Sequence, residues 1–301
     1  MKKETTKSEE GVVRQSMYNG KLEVVFLGPT EEKPSRHIYQ VNGERKTGVT
    51  TYLNIKDKSV GLVSWATELA ADYLLAKIER GEKITEADIY EAQDLHQKKK
   101  QEAADVGTLI HDWCEKYIKA KLKVKGYTVP DMPEEKNVQI GVSAFLDWEQ
   151  EHKVKFVSSE RVIYSRKYDY IGKMDIECIV DGDLCLVDLK SSNGLYNTVR
   201  AQTAAYLKAD EEESKREYVG RWAIRLSKET EKEYIAKQVK KNKKRVLMGK
   251  EPQEIKPYQV FEAKYFDADK GEIESDFEAF LHMMKLHRWD AKTDFWKVAN
   301  K

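Results

Sequence analysis

The spacing of apolar positions changes character about halfway along the chain. Over residues 64–81, SWATELAADYLLAKIERG, apolar side chains recur at helical intervals, with Ser64 placed to cap the start and Gly81 to stop the helix. Thr85 and Asp88 then form a weak variant of the capping box and predict a helix running to about Ala104. A separate helix is predicted over 107–123, GTLIHDWCEKYIKAKLK, and an amphipathic one over roughly 134–153, after a loop with Pro130 and Pro133. Ahead of these, behind a polar tail, 22–27 and 37–53 read as short strands, the second with a hairpin signal at Asn42-Gly43. From about residue 154 the period shortens to two. Strands are predicted over 156–165, 168–180 and 184–190, the last two joined by the turn Asp181-Gly182-Asp183. An alanine-rich helix (196–209), two further strands (221–227 and 258–266) and a closing helix (276–289) complete the order.

That order predicts an α/β (α+β) chain, a sheet flanked by helices, with a helical N-terminal half. Residues 1–60 form a tail and strand segment, 61–153 a helical region and 154–301 the sheet-bearing core, with 61–301 expected to pack as one compact domain. No segment repeats another.

One strand breaks the pattern. In LCLVDLK (184–190), alternation puts Asp188 and Lys190 on one face with Leu186, and Val187 and Leu189 on the other. Across the turn, Asp175 is expected to face away from both Met174 and Ile176. Two carboxylates on paired strands repel each other, and a hard divalent cation with oxygen ligands relieves the repulsion. A lysine beside them can orient a metal-bound water and balance charge that develops on a phosphate. An isolated Asp-x-Lys on a strand is otherwise an ordinary surface ion pair worth little.

Composition narrows the context. The 301 residues are 40% apolar, with 6 Trp, 16 Tyr and 8 Phe, as in globular proteins. No stretch approaches the ~18 uninterrupted apolar residues of a membrane span, and MKKETTKSEEG has no apolar block behind its lysines. A soluble, cytoplasmic protein without a membrane partner is expected. Cys114, Cys178 and Cys185 are an odd number without CxxC spacing, which argues against a disulfide framework, a zinc site or an iron–sulfur cluster. They are expected to be reduced and buried. Net charge is +1 from 53 basic and 52 acidic residues, so the whole molecule has no bias toward a polyanion. Locally, KQVKKNKKRVLMGK (237–250) is strongly basic and contains no acid. Solvated face and nucleic-acid contact are equally good readings of it on charge alone.

Asp175, then Asp188-x-Lys190 on a hairpin, then a helix carrying Gln202 and Tyr206 four residues apart, all preceded by GTLIHDWCE, resembles the PD-(D/E)XK nuclease superfamily. The resemblance is to its RecB-like exonuclease branch, which includes phage-type and mitochondrial-genome-maintenance-type exonucleases. It implies a restriction-endonuclease-like core, a central mixed sheet flanked by helices. Asp175 and Asp188 match the two acids of the motif, with Met174 where the family pattern has proline, and Lys190 matches its lysine. His111 matches a histidine of the metal shell, and the Leu189 carbonyl is a further implied ligand. Gln202 and Tyr206 match a Gln-x-x-x-Tyr signature that supports the site and the DNA strand, and Thr108 belongs to the upstream element. Ser191 and Ser192 follow the lysine where a phosphate is held. Glu115, one turn beyond His111, and Glu160, on the preceding strand, are supporting acids.

The activity implied is Mg²⁺- or Mn²⁺-dependent hydrolysis of phosphodiester bonds by a DNA exonuclease of recombination, repair or phage replication. Single- or double-stranded DNA would be its partner, and a single-strand-binding or annealing protein a companion. The 237–250 segment becomes a DNA contact under this reading. A structure-specific or restriction-type endonuclease is an alternative, as is a catalytically silent nucleic-acid-binding module.

Overall fold

The computed structural model describes residues 11–33, 36–267 and 270–292. Its first unit is an antiparallel sheet of β1 (Val12–Met17), β2 (Leu22–Leu27), β3 (Ile38–Val41) and β4 (Glu44–Lys46), in that order. β1 occupies part of the stretch read as a polar tail; residues 1–10 lie outside the described residues. VVRQSM hides Val12, Gln15 and Met17, too short and irregular an alternation to stand out against its polar flanks. The predicted strand over 37–53 is only half strand. Asn42 and Gly43 both take left-handed φ (48° and 82°) and make a tight hairpin, but Val49–Leu53 turns into a helix, α1. VTTYL has strand-like chemistry, and packing overrides it: Val49, Tyr52 and Leu53 are buried against later helices.

Next come α2 (Ser59–Glu79), α3 (Glu86–Lys121) and α4 (Lys136–Glu151). α2 begins five residues before the expected cap at Ser64, where the Asp57 carboxylate accepts from the Ser59 N–H at 2.7 Å. Gly81, with φ 71°, does lie just past its end. Thr85 and Asp88 make a reciprocal capping box, and the helix they open runs unbroken for 36 residues rather than stopping near Ala104. A single mid-helix glycine costs about 1 kcal/mol relative to alanine, too little to break the helix without a proline. Gly107 also leaves room there. A Cβ on it would lie 2.4 Å from Ser191 Oγ, so the glycine lets α3 pass close to the end of a central strand.

The second sheet holds β5 (Lys155–Ser165), β6 (Tyr170–Val180), β7 (Asp183–Lys190), β8 (Gly220–Leu226) and β9 (Phe261–Asp267), in that order. It is mixed: β7 and β8 run parallel, with α5 (Thr198–Ser214) connecting them, and the other neighbours are antiparallel. α6 (Glu231–Leu247) precedes β9 and α7 (Lys270–Lys292) follows it. α1, α5 and α7 cover one face of this sheet, α3 and α4 the other. Leu186 belongs to the first core, Val187 and Leu189 to the second, so β7 alternates as its sequence requires. Side chains of the N-terminal sheet, Phe26 and Tyr39 among them, pack on Val162, Tyr164 and Ile171 of β5 and β6. All three cysteines are free and buried. Among the described residues no helix is long and apolar enough to cross a membrane.

Candidate metal centre

The hairpin of β6 and β7 brings the acids together. Asp181 (φ 53°) and Gly182 (φ 110°) form its turn, and the register runs from Val180↔Asp183 to Ile176↔Val187. Continued one step, it sets Asp175 opposite Asp188. Beyond Ile176 the strands part, and the Asp175 side chain occupies the opening: its Oδ2 accepts from the Leu189 backbone N–H at 2.8 Å.

Asp175 is also where the alternation of β6 fails. Met174 packs in the core beneath α5 and Ile176 in the core beneath α3 and α4, so the two do not share the face opposite Asp175. On the neighbouring strand Glu160, opposite Asp175 between the pairs Ser159↔Ile176 and Arg161↔Met174, takes a left-handed φ of 53°. That conformation costs a non-glycine residue about 1–2 kcal/mol. The Asp175 carboxylate lies toward α3, beside His111.

α3 supplies the histidine. His111 lies about one turn beyond Gly107, and its Nδ1 is 3.8 Å from Asp175 Oδ2. Ligand atoms of His111, Glu160 and Asp175 all fall within 4.8 Å of one another. They line a cleft of about 360 Å³ together with Gly107, Thr108 and Ser191. Lys190 Nζ sits 2.6 Å from Asp188 Oδ2, while neither Asp188 oxygen has a well-aligned hydrogen-bond donor despite full burial. Burial pushes the Asp188 carboxyl up to about 6, against the pull of Lys190, and the Asp175 charge adds to the rise. Glu160 is pushed up to about 7, first by burial, against the pull of Lys173, with Asp175 and Glu115 contributing. Burial opposes charge on Lys190 too, yet Asp188 and Asp175 keep it above its ordinary value. A group of crowded, under-bonded carboxylates with one imidazole and no thiolate is a donor set suited to a hard divalent cation.

The remaining sequence candidates are placed unevenly. Thr108 lines the cleft, its hydroxyl donating to the Ala104 carbonyl at 3.0 Å. Ser191 lines it as well, whereas Ser192 is exposed and donates to the Gly194 carbonyl. Leu189 is buried between the sheet and α3. Gln202 and Tyr206 lie inside the fold, the Gln202 amide donating to the Tyr206 hydroxyl at 3.0 Å. The Tyr206 ring fills the space where a Gly172 side chain would be. Glu115 is paired with Lys119 and is not one of the three grouped ligands. Glu160, by contrast, stands with His111 and Asp175, and its side chain is 10% exposed rather than facing solvent.

Two participants escaped the sequence reading. Lys173, which pairs with Glu160, stands two residues before Asp175, the same same-face spacing that singled out Asp188 and Lys190. Tyr39 of the N-terminal sheet has its phenol held protonated by burial and then by Glu160 and Asp175, which brings that sheet up to the centre. The basic segment is mostly helix: α6 is capped by a Thr230–Glu233 box readable in the sequence. Three of its lysines are engaged, Lys237 with Glu229 and, toward α2, Lys240 with Asp72 and Lys244 with Glu68.

No family model matches this sequence, and no curated protein matches it.

Proposed function

We propose that the chain is a metal-dependent DNA exonuclease built on a restriction-endonuclease-like core. The observation that carries the reading is that His111 of α3 stands beside Asp175 of β6, whose carboxylate accepts from the β7 backbone at Leu189, between the paired Asp188 and Lys190. Asp175, Asp188 and His111 would hold Mg²⁺ or Mn²⁺, with the Leu189 carbonyl as a further ligand. When bound, such an ion lowers the pKa of a water and offsets charge on the scissile phosphate.

The chain's own residues do the rest. The Leu189 N–H fixes the rotamer of Asp175, so its free oxygen points to a constant place. Asp188, crowded by burial and by Asp175, gains from a cation that favours its charged form. Lys190 stays protonated, and its ammonium orients the attacking water and balances the charge of the pentavalent phosphate. Ser191, which lines the cleft, would donate to a phosphate oxygen, while the Thr108 hydroxyl is already given to the Ala104 carbonyl.

Free-end dependence tests the exonuclease reading. With Mg²⁺, purified protein is expected to release nucleotides from linear DNA, to spare a covalently closed circle of the same sequence, and to stop on addition of EDTA. Cutting of the closed circle would make it an endonuclease. An absence of cleavage with Mg²⁺ or Mn²⁺ on any single- or double-stranded DNA or RNA would remove the catalytic reading.

A further inference from the structure

Glu160 and Asp175 line the cleft, Glu115 and Asp188 lie close enough to them to interact electrostatically, and three of these four carboxylates come with a lysine. Lys119 pairs with Glu115, Lys173 with Glu160 and Lys190 with Asp188. The fourth, Asp175, is held instead by the Leu189 N–H and the His111 ring. Taken alone, the closeness of His111, Glu160 and Asp175 offers a cation position beside Glu160, in addition to the one that the proposed function assigns to Asp175 and Asp188. Lys173 is already at that position. Its side chain is 27% exposed, and its ammonium lies 5.0 Å from the centre of the Phe26 ring while pairing with Glu160 on its other side. Phe26 is itself fixed, buried and packed against Tyr39 with ring centroids 5.0 Å apart.

We propose that Lys173 is a built-in cation of the centre, standing where a second metal ion would otherwise sit beside Glu160, so that the protein binds one divalent ion. The inference rests on the metal-centre reading above. Charge supports the count. Three of the four acids stand against a lysine and Asp175 does not, so Asp175 is the carboxylate left for an added cation to compensate. A second would have to share Glu160 with an ammonium already in place, in a partly dehydrated cleft where like charges repel strongly. The aromatic ring under Lys173 favours its cationic form and restricts where it can move. The N-terminal sheet thereby acquires a role in the centre, since it supplies that ring.

The test is the Mn²⁺ stoichiometry of the full chain without nucleic acid, measured by calorimetric titration and by the electron paramagnetic resonance signal of free Mn²⁺. Wild type is expected to bind one ion, lost in Asp175→Asn. Lys173→Met is expected to bind two, and Lys173→Met combined with Glu160→Gln to return to one. Lys173→Arg, which keeps the cation, is expected to stay at one. Glu160→Gln alone is expected still to bind one ion, since Lys173 keeps its place over the Phe26 ring; this variant keeps the idea testable should Lys173→Met fail to fold. Two ions in wild type, a folded Lys173→Met that still binds one, or loss of Mn²⁺ binding in Glu160→Gln would each overturn the proposal. The nuclease reading fails separately. A chain that binds one Mn²⁺ but cleaves nothing keeps the internal cation and loses the activity, and one that cleaves while binding two loses only the internal cation.

Discussion

Asp175→Asn should lower Mg²⁺-dependent nucleotide release by at least about a thousandfold while the protein stays folded. The substitution is close to isosteric. The asparagine carbonyl oxygen can still accept from the Leu189 N–H, so the contact that holds the end of the hairpin is retained. What disappears is the charge on the carboxylate shared between the pair with Asp188 and the group with His111 and Glu160. Without metal that charge is a burden, because it helps push the carboxyls of Asp188 and Glu160 upward. The metal-free variant is therefore expected to melt no lower than wild type. Release of acid-soluble nucleotides and a thermal melt followed by circular dichroism, both on the same preparation, check the two halves. Activity within tenfold of wild type would place the chemistry elsewhere.

The largest expected loss of stability lies on the other face of the sheet. Glu177→Ala should destabilise the fold by about 3–5 kcal/mol, read from denaturant unfolding. Glu177 and Asp210 are fully buried, and Arg161 and Arg216 enclose them. Arg161 Nε is 3.6 Å from Glu177 and its Nη2 is 2.5 Å from Asp210. Tyr218 donates to Asp210 at 2.6 Å, and Ser158 donates to Glu177 at 2.9 Å. Two acids and two guanidinium groups balance within this cluster, which ties β5 and β6 to α5 and to the segment entering β8. Removing one acid leaves a buried positive charge with half its compensation, and that residual charge sets the size of the effect. A loss under 1 kcal/mol would mean that water reaches the cluster.

The β6–β7 hairpin and the placing of its charged residues were the legible part of the sequence. Asp188 and Lys190 could be placed because strand alternation is a local rule, and Asp175 because Asp181-Gly182 specifies a tight turn and hence a register. What stayed hidden depends on contacts between distant segments. The partnership of Lys173 with Glu160 and Phe26 joins three strands of two sheets. The approach of Asp175 to His111, and the left-handed Glu160 opposite it on the next strand, are announced by no pattern within β6. α1 and the continuity of α3 were lost because packing outweighed local preference, in α1 through burial against later helices and in α3 through the glycine that admits Ser191. The cap of α6, by contrast, was a local signal passed over beneath its lysines.

In the proposed function Lys190 and its neighbouring acids form a metal-dependent nuclease centre. Nucleotide release from linear DNA in Mg²⁺, measured side by side for wild type and Lys190→Ala at matched Mn²⁺ affinity, tests it most directly. EDTA-sensitive release by wild type is expected, with a rate at least about a hundredfold lower for the variant. Equal rates, or no release by wild type, would contradict it.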